Sequence, residues 1–346
     1  LILGFISLAT MYSTDGGEIL YHTKSHFLKF AIFFPMMIFL SFINIKFWHS
    51  GSYLFYLIIL GLLVWVSLYG VQSSGSKRWI NLYFINLQPS ELMKIFVPLM
   101  IASFYSDKSL PPKFKNLVVA AFIIIVPGLL IAKQPDLGTA ILITTSGVIA
   151  IFLSGIRLAH IFLGLAFVIG AIPFLWSLMY DYQKSRVLSF FSPEQDALGS
   201  GYHLIQSKIA LGSGGLFGKG YMNGTQSKLD FLPENHTDFI FSAFGEEFGF
   251  IGVLLLITLY VLAVMRGMSI SIKATDNFAR ILSGTLILTI FLYVLVNIGM
   301  VIGLLPIVGA PLPIMSYGGS SMLSIMLGLS IVMSCRIYSQ DQISNY

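Results

Sequence analysis

Residues 231–241 read Phe-Leu-Pro-Glu-Asn-His-Thr-Asp-Phe-Ile-Phe, so Glu234, Asn235, His236, Thr237 and Asp238 are five consecutive polar residues. Asp238 stands where a polar stretch meets an apolar run from Phe239 to Met265. Burying a carboxylate in hydrocarbon costs several kcal/mol unless it faces a cavity or a partner. Asp238 therefore belongs at the membrane surface or just inside it, with polar company and an approach from water. A general base at that boundary could serve a reaction between lipid-anchored substrates. The competing role for Asp238 is structural, an N-cap for the helix that follows. Glu246 and Glu247 lie two turns deeper, about 12 Å along that helix. Acidic residues at that depth must face the protein interior, which argues for a polar cavity beneath Asp238.

Four further clusters stand out. Gly75-Ser-Lys-Arg-Trp-Ile80 is followed by Gln88-Pro-Ser-Glu91 and Lys94. Pro89 suits the first turn of a helix, and the i, i+3 spacing sets Glu91 and Lys94 on one face. They form either a self-neutralising ion pair that orients helices or one polar wall of a substrate cavity, with Lys77 and Arg78 above it as anion binders. Trp79 is a substrate-contact candidate and equally an interfacial anchor. In Lys133-Gln-Pro-Asp-Leu-Gly-Thr-Ala140, Asp136 is placed to cap the next helix. Gly212-Ser-Gly-Gly-Leu-Phe-Gly-Lys-Gly220 invites comparison with a phosphate-binding loop. The comparison fails, because Gly218-Lys219 is followed by Gly220 where Ser or Thr is needed, and Ser213 takes the first Gly position. Gly-rich backbone with Lys219 can still present N–H groups to an anion, and plain loop flexibility competes with that reading. Just before it, His203 to Leu211 has the pattern of a short amphipathic helix at a membrane surface. The last cluster runs through Asn297-Ile-Gly-Met300, Gly303-Leu-Leu-Pro306 and Pro311 to Ser321. It reads either as a broken or re-entrant helix lining a cavity or as close packing through small residues.

The elements that must position these residues are membrane helices. The chain of 346 residues is 56% hydrophobic and only 10% charged, against about 25% charged in soluble domains, and its mean hydropathy is +0.85. Apolar runs long enough for a 30 Å hydrocarbon core recur. The fold expected is an all-α polytopic membrane protein, a single transmembrane domain over residues 1–346. Ten spans fall near 1–13, 28–45, 52–71, 90–105, 116–132, 137–154, 158–179, 239–265, 279–303 and 312–335, with one long loop, 180–237, between the seventh and eighth. The chain starts at Leu1 without an initiator Met, which points to a trimmed N-terminus. A signal peptide would need a small-residue cleavage site that the first segment lacks.

With a cytoplasmic N-terminus, the inside loops carry Lys46, Lys108, Lys113, Lys115, Arg157, Arg266, Lys273, Arg280 and Arg336. The short outside loops carry Lys24, Lys29, Lys77, Arg78 and Lys133, nine basic residues against five. This orientation follows the positive-inside rule and puts loop 180–237 and the approach to Asp238 outside the cytoplasm. The net charge of +5 reflects these anchors, and nothing suggests a nucleic-acid partner. The single Cys335 excludes a disulfide framework and a thiolate metal site.

Several segments together resemble the SEDS family of bacterial membrane proteins (shape, elongation, division and sporulation). They are Lys77-Arg-Trp-Ile80, Gln88-Pro-Ser-Glu91, Gln134-Pro-Asp-Leu-Gly-Thr139, Gly212-Ser-Gly-Gly215, Pro233-Glu-Asn-His-Thr-Asp-Phe-Ile240 and Pro313-Ile-Met-Ser-Tyr-Gly-Gly-Ser-Ser321. The resemblance covers essentially the whole chain. Asn223-Gly-Thr-Gln-Ser227 and Gly303-Leu-Leu-Pro-Ile-Val-Gly309 look more like the family's elongation members than its division members. Asn235 departs from the pattern, since relatives often carry Arg or Ala there.

The resemblance implies a peptidoglycan glycosyltransferase of the bacterial cytoplasmic membrane. Its substrate would be lipid II, polymerised on the extracytoplasmic side, and its partner a class B penicillin-binding protein. The family's essential aspartate falls on Asp238, as general base for an inverting transfer. Lys77, Arg78, Lys94 and Lys219 are candidates for the pyrophosphate, and Trp79, Glu91, Glu234, His236 and Thr237 for other substrate contacts. A divalent cation, Mg2+ or Mn2+, could share the anion-binding work, although no ligand set is diagnostic. Two alternatives from other classes stand beside this reading. One is a lipid II flippase, in which Glu91 and Lys94 dominate; the other is a noncatalytic scaffold for the penicillin-binding protein, in which Asp238 only caps a helix.

Overall fold

The computed structural model describes residues 1–73, 76–81, 86–192, 200–229, 231–232 and 234–338. Gly75 and Pro233 of the motifs above, the stretch 193–199 within loop 180–237 and the side chain of Lys77 lie outside the described residues. The chain is mostly helical. Each expected span overlaps a helix: α1 (Ile2–Thr14), α2 (Tyr21–Ser41), α3 (Ile45–Tyr69), α4 (Pro89–Ser106), α5 (Phe114–Lys133), α6 (Leu137–Leu153) and α7 (Leu158–Leu178). After the shorter α8 (Asp181–Phe191), α9 (Ser200–Ser213) and α10 (Thr225–Lys228) come the long α11 (Ile240–Lys273), α12 (Asn277–Val301) and α13 (Gly319–Tyr338). Among the described residues six of these, α2, α3, α5, α11, α12 and α13, are long and apolar enough to cross a membrane. Many of their large apolar side chains are exposed, including Leu54, Leu57 and Trp65 on α3 and Phe122 and Leu129 on α5, as lipid-facing surfaces are.

Local chemistry sets the helix ends. Asn44 caps α3 by accepting from the Lys46 N–H at 2.9 Å. Pro89 takes the first position of α4, where its missing N–H is harmless. Asp136 caps α6 through the Thr139 N–H at 3.2 Å, as its position suggested. Two expectations need revision. The last helix begins at Gly319, seven residues later than the expected 312, because residues 302–318 hold no helix. Three short strands, β1 (Val71–Ser73), β2 (Ser76–Asn81) and β3 (Asn86–Leu87), also stand between α3 and α4, paired antiparallel in the order β1-β2-β3. The Lys-Arg-Trp motif therefore sits on a strand.

The chain divides into two compact units, each assembled from separate segments. The first takes 1–36, 185–265 and 290–326. Its core gathers Met11, Phe239, Phe241, Phe244, Leu256, Tyr260, Val294 and Met315, and the Tyr260 hydroxyl donates to the Pro313 carbonyl at 2.6 Å. The second takes 37–184, 266–289 and 327–346. There α4 packs on α3, α5 and α6, burying Leu63, Met93, Val97, Leu99, Ile131 and Ile143.

Helix α11 is broken at Gly249, whose φ of 65° and ψ of −166° leave the helical region. The break has a partner in the glycine-rich stretch. Gly215 and Leu216 carbonyls accept from the Phe250 and Ile251 N–H groups at 2.9 and 3.1 Å. In return, Lys219 and Gly220 N–H groups donate to the Glu246 and Glu247 carbonyls at 3.0 and 3.1 Å. A Cβ on Gly218 would lie 2.0 Å from the Glu247 oxygen, and one on Gly249 2.2 Å from the Gly218 nitrogen. Glycine is needed here for backbone-to-backbone approach. The stretch expected to be a loose loop or an anion nest is a splice across a helix break.

Candidate functional site

The Glu234–Asp238 turn in the first unit is built by its own backbone. Glu234 adopts a left-handed φ of 55°, and its carbonyl accepts from the Thr237 and Phe239 N–H groups at 3.1 and 3.3 Å. The Thr237 hydroxyl donates to the Glu234 carboxylate at 2.6 Å. Three successive carbonyls then point at the 310–317 segment and α12. His236 O accepts from the Tyr317 N–H at 2.8 Å, Thr237 O from the Ser316 hydroxyl at 2.6 Å, and Asp238 O from the Asn297 amide at 2.9 Å. The same Asn297 nitrogen donates to Ala310 O at 2.7 Å. The Asp238 peptide is thus clamped while its side chain stays half-buried, with the carboxylate facing Gly309, where an added Cβ would lie 3.6 Å from Oδ2. The segment without helix between α12 and α13 therefore has a defined task, the placement of Asp238.

Beneath this turn the first unit holds a buried polar network. Glu246 is fully buried. Its Oε1 accepts from Lys219 Nζ at 2.6 Å, the Thr225 N–H and hydroxyl at 2.9 Å each, and the Gln226 N–H at 3.2 Å. Lys219 Nζ also donates to the Thr225 hydroxyl at 2.8 Å. The expected anion binder Lys219 is instead the counter-ion of Glu246. Glu247, also buried, accepts from the Ser13 hydroxyl. Both glutamates face the interior as expected, Glu246 met by Lys219, Thr225 and Gln226 and Glu247 by Ser13. Tyr221, on the loop before α10, donates its hydroxyl to Ala9 O at 2.9 Å. Burial, then the Glu247 carboxylate, holds that phenol above its ordinary pKa, in the donor form.

The sequence did not signal three neighbours. Asp15, in the turn after α1, and His22, in the first turn of α2, meet His236, with His236 Nε2 3.4 Å and His22 Nδ1 3.8 Å from Asp15 Oδ1. Arg186 on α8 reaches the Ile307 carbonyl at 3.5 Å, on the same segment that Asp238 faces. None of these three residue types stands out in one sequence, because their partners are more than 100 positions away or sit in an ordinary turn.

The remaining candidates belong to the second unit. The Arg78 guanidinium holds the turn between α5 and α6, with Nε 2.9 Å from Gln134 O, Nη2 2.5 Å from Pro135 O and Nη1 3.5 Å from the Asp136 carboxylate. Gln88 donates to that carboxylate at 3.2 Å. Two separate motifs of the sequence are therefore one knot. Glu91 and Lys94, both buried, are ion-paired on α4. Trp79 is half-buried on β2.

The FtsW/RodA/SpoVE model, described as cell cycle protein, matches residues 1–341. The peptidoglycan glycosyltransferase MrdB of Escherichia coli (strain K12) is 52% identical over 280 residues, 81% of this chain and 76% of that protein. Stage V sporulation protein E of Bacillus subtilis (strain 168) is 34% identical over 352 residues, 98% of this chain and 95% of the relative. Two solved folds are similar. A chain of a peptidoglycan synthase complex that coordinates polymerization and crosslinking superposes with a TM-score of 0.84 at 24% identity, covering 99% of this chain and 96% of that one. Thermus thermophilus rod shape determining protein RodA gives 0.73 at 23%, covering 99% and 95%.

Proposed function

The chain belongs to the FtsW/RodA/SpoVE (SEDS) family of cell cycle proteins, and from that premise we propose that it is a multi-pass membrane peptidoglycan glycosyltransferase that polymerises lipid II during cell elongation. The observation that carries this reading is the clamped Asp238 turn in a chain 52% identical to a peptidoglycan glycosyltransferase. Asp238 takes the proton from the acceptor sugar's 4-hydroxyl as that oxygen attacks the donor's anomeric carbon. The C1–O bond to undecaprenyl pyrophosphate breaks, and the α-linkage becomes β. A single displacement suits the turn, where the other carboxylate, Glu234, is held by Thr237. Positive charge must meet the leaving pyrophosphate. Lys219 and Lys94 are each paired with a glutamate and Arg78 with Asp136, so Lys77, Arg78, Lys94 and Lys219 all stay candidates, and Arg186, which reaches the segment that Asp238 faces, joins them. His236 and Thr237 in the first unit, and Trp79 and Glu91 in the second, remain candidates for substrate contacts. The reaction takes place on the extracytoplasmic face, following the distribution of basic residues, and a class B penicillin-binding protein acts as partner and cross-links the product.

The test is polymerisation of lipid II by the full chain with its penicillin-binding partner, a transpeptidase inhibitor present, and glycan strands read on a gel. Asp238→Asn keeps the size and the capping ability of the side chain but not its basicity. Loss of about 10²-fold or more in rate, with an unchanged melting temperature, is the expected result. Equal polymer from both proteins would remove Asp238 from the mechanism. No polymer from wild type, beside an active control enzyme, would favour the flippase or scaffold.

A further inference from the structure

We propose that Asp15, His22 and His236 form a binding site for a divalent transition-metal ion, Zn2+ by donor set, that pins the Glu234–Asp238 turn to the ends of α1 and α2. The three side chains offer one carboxylate oxygen and two imidazole nitrogens, all within 4.8 Å of one another. Bond lengths of about 2.0–2.2 Å set tetrahedral ligands about 3.3–3.6 Å apart. His236 Nε2 and Asp15 Oδ1 are already at 3.4 Å, and His22 Nδ1 is 3.8 Å from the same oxygen.

The hydrogen bonds around the cluster show why a cation belongs there. The Thr14 hydroxyl lies 2.9 Å from Met11 O and 3.0 Å from His236 Nδ1, and when it donates to Met11 O it accepts from the ring nitrogen. His236 Nδ1 then carries the hydrogen, and the neutral ring offers its Nε2 lone pair as a ligand. In that arrangement Nε2 presents its lone pair toward Asp15 Oδ1 at 3.4 Å, a spacing that a bound metal ion bridges. The second carboxylate oxygen is already held: Asp15 Oδ2 accepts from the Thr23 N–H at 3.0 Å and its hydroxyl at 2.6 Å. A ligating histidine with its other nitrogen on a hydroxyl, and a ligating carboxylate fixed through its far oxygen, is the outer-shell pattern that metal sites need.

A proton alone accounts less well for His22. Its ring stacks on that of His236 with centroids 4.3 Å apart and an interplanar angle of 19°. A single proton on His236 answers Asp15 and gives no role to His22 Nδ1, 3.8 Å from the same oxygen. A metal ion takes both rings as neutral ligands. The side chain of His22 is 42% exposed and lies edge-on to the Tyr317 ring at 5.2 Å, so closing on the ion takes a turn of the ring within these contacts, and the open side leaves a fourth position for water. Two nitrogen donors favour Zn2+ over Mg2+, which prefers oxygen. The inference concerns binding and stands apart from the glycosyltransferase reading.

The experiment uses the full chain in detergent, purified on a tag without histidines and stripped with chelator, then titrated with Co2+ near pH 7.5. Wild type is expected to take up one Co2+ with visible d–d absorption, to release it to one equivalent of Zn2+, and to melt higher with Zn2+ than without. Asp15→Asn keeps the acceptor for Thr23 and His22→Gln lies at an exposed position, so both should fold. Each is expected to weaken Co2+ binding at least 10-fold and to lose the Zn2+-dependent rise in melting temperature. Absence of Co2+ uptake by wild type would overturn the proposal and leave a proton as the bridging cation. Uptake undiminished in both variants would overturn it as well, by locating the metal elsewhere.

Discussion

Asp238 is positioned through its main chain, and that separates positioning from chemistry. Asn297 bridges Asp238 O and Ala310 O with one amide nitrogen. Asn297→Ala removes both hydrogen bonds and leaves two carbonyls wanting donors, at about 1–3 kcal/mol for each group left unsatisfied in a buried place. A base displaced by about 1 Å can lose about 10² in rate. The expected outcome is a 10- to 100-fold fall in kcat, with KM for lipid II little changed and a melting temperature a few degrees lower; steady-state kinetics and thermal unfolding in detergent check it. Lys219 gives the opposite pattern. Its ammonium compensates a fully buried carboxylate, and removing one partner of such a pair destabilises by about 3–5 kcal/mol in a closed interior. Lys219 is itself partly exposed, so about 2–3 kcal/mol is the expectation for Lys219→Met. A large fall in melting temperature with unchanged KM would agree; a raised KM with unchanged stability would return Lys219 to the pyrophosphate. The sequence made Asp238 and Lys219 equally visible as charges in an apolar chain. It read Lys219 as an anion binder because its counter-ion Glu246 is 27 positions away and brought to it by folding.

The helices were largely legible because each is a long apolar run ended by a residue with a local reason: Asn44, Pro89 and Asp136 all act within three residues of themselves. The helix break at Gly249 was not, since a Gly within an apolar run reads as a tolerated residue. Its meaning lies with Gly218, 31 positions earlier and only 2.2 Å from where a Gly249 Cβ would stand. The phosphate-loop comparison failed for the right local reason, but the alternative of simple flexibility missed that these glycines are fixed by long-range contacts. Gly218→Ala and Gly249→Ala each force a Cβ into backbone and a side chain into positive φ. Each is expected to lower the melting temperature, by roughly 2 kcal/mol or more of stability. Gly212→Ala, where nothing lies within 4 Å of the added carbon, is the matched control and should be close to neutral. Equal behaviour of the three variants would return the stretch to an ordinary loop.

Across the whole molecule, the orientation in the membrane decides whether Asp238 can meet a substrate outside the cell, and it rests on nine basic residues against five. That margin is modest, and the fold adds nothing to it, because a bundle of helices packs identically whichever way it is inserted. Direct labelling resolves it. The one native cysteine, Cys335, is fully buried, and Cys335→Ser gives a background without thiols at the cost of one small core substitution. Phe217→Cys places a thiol in the loop between α9 and α10, at a side chain 79% exposed. Lys108→Cys places one between α4 and α5, on the expected cytoplasmic side. A membrane-impermeant maleimide added to intact spheroplasts should label Phe217→Cys and reach Lys108→Cys only after lysis. The reverse pattern would put the Asp238 turn on the cytoplasmic face, opposite to the side proposed for polymerisation, and the polymerase reading would then fail on topology even if every residue-level prediction held. Labelling of both thiols in intact cells would mean that at least one of these loops is not where the charge distribution puts it, and the helix count between them would have to change by one.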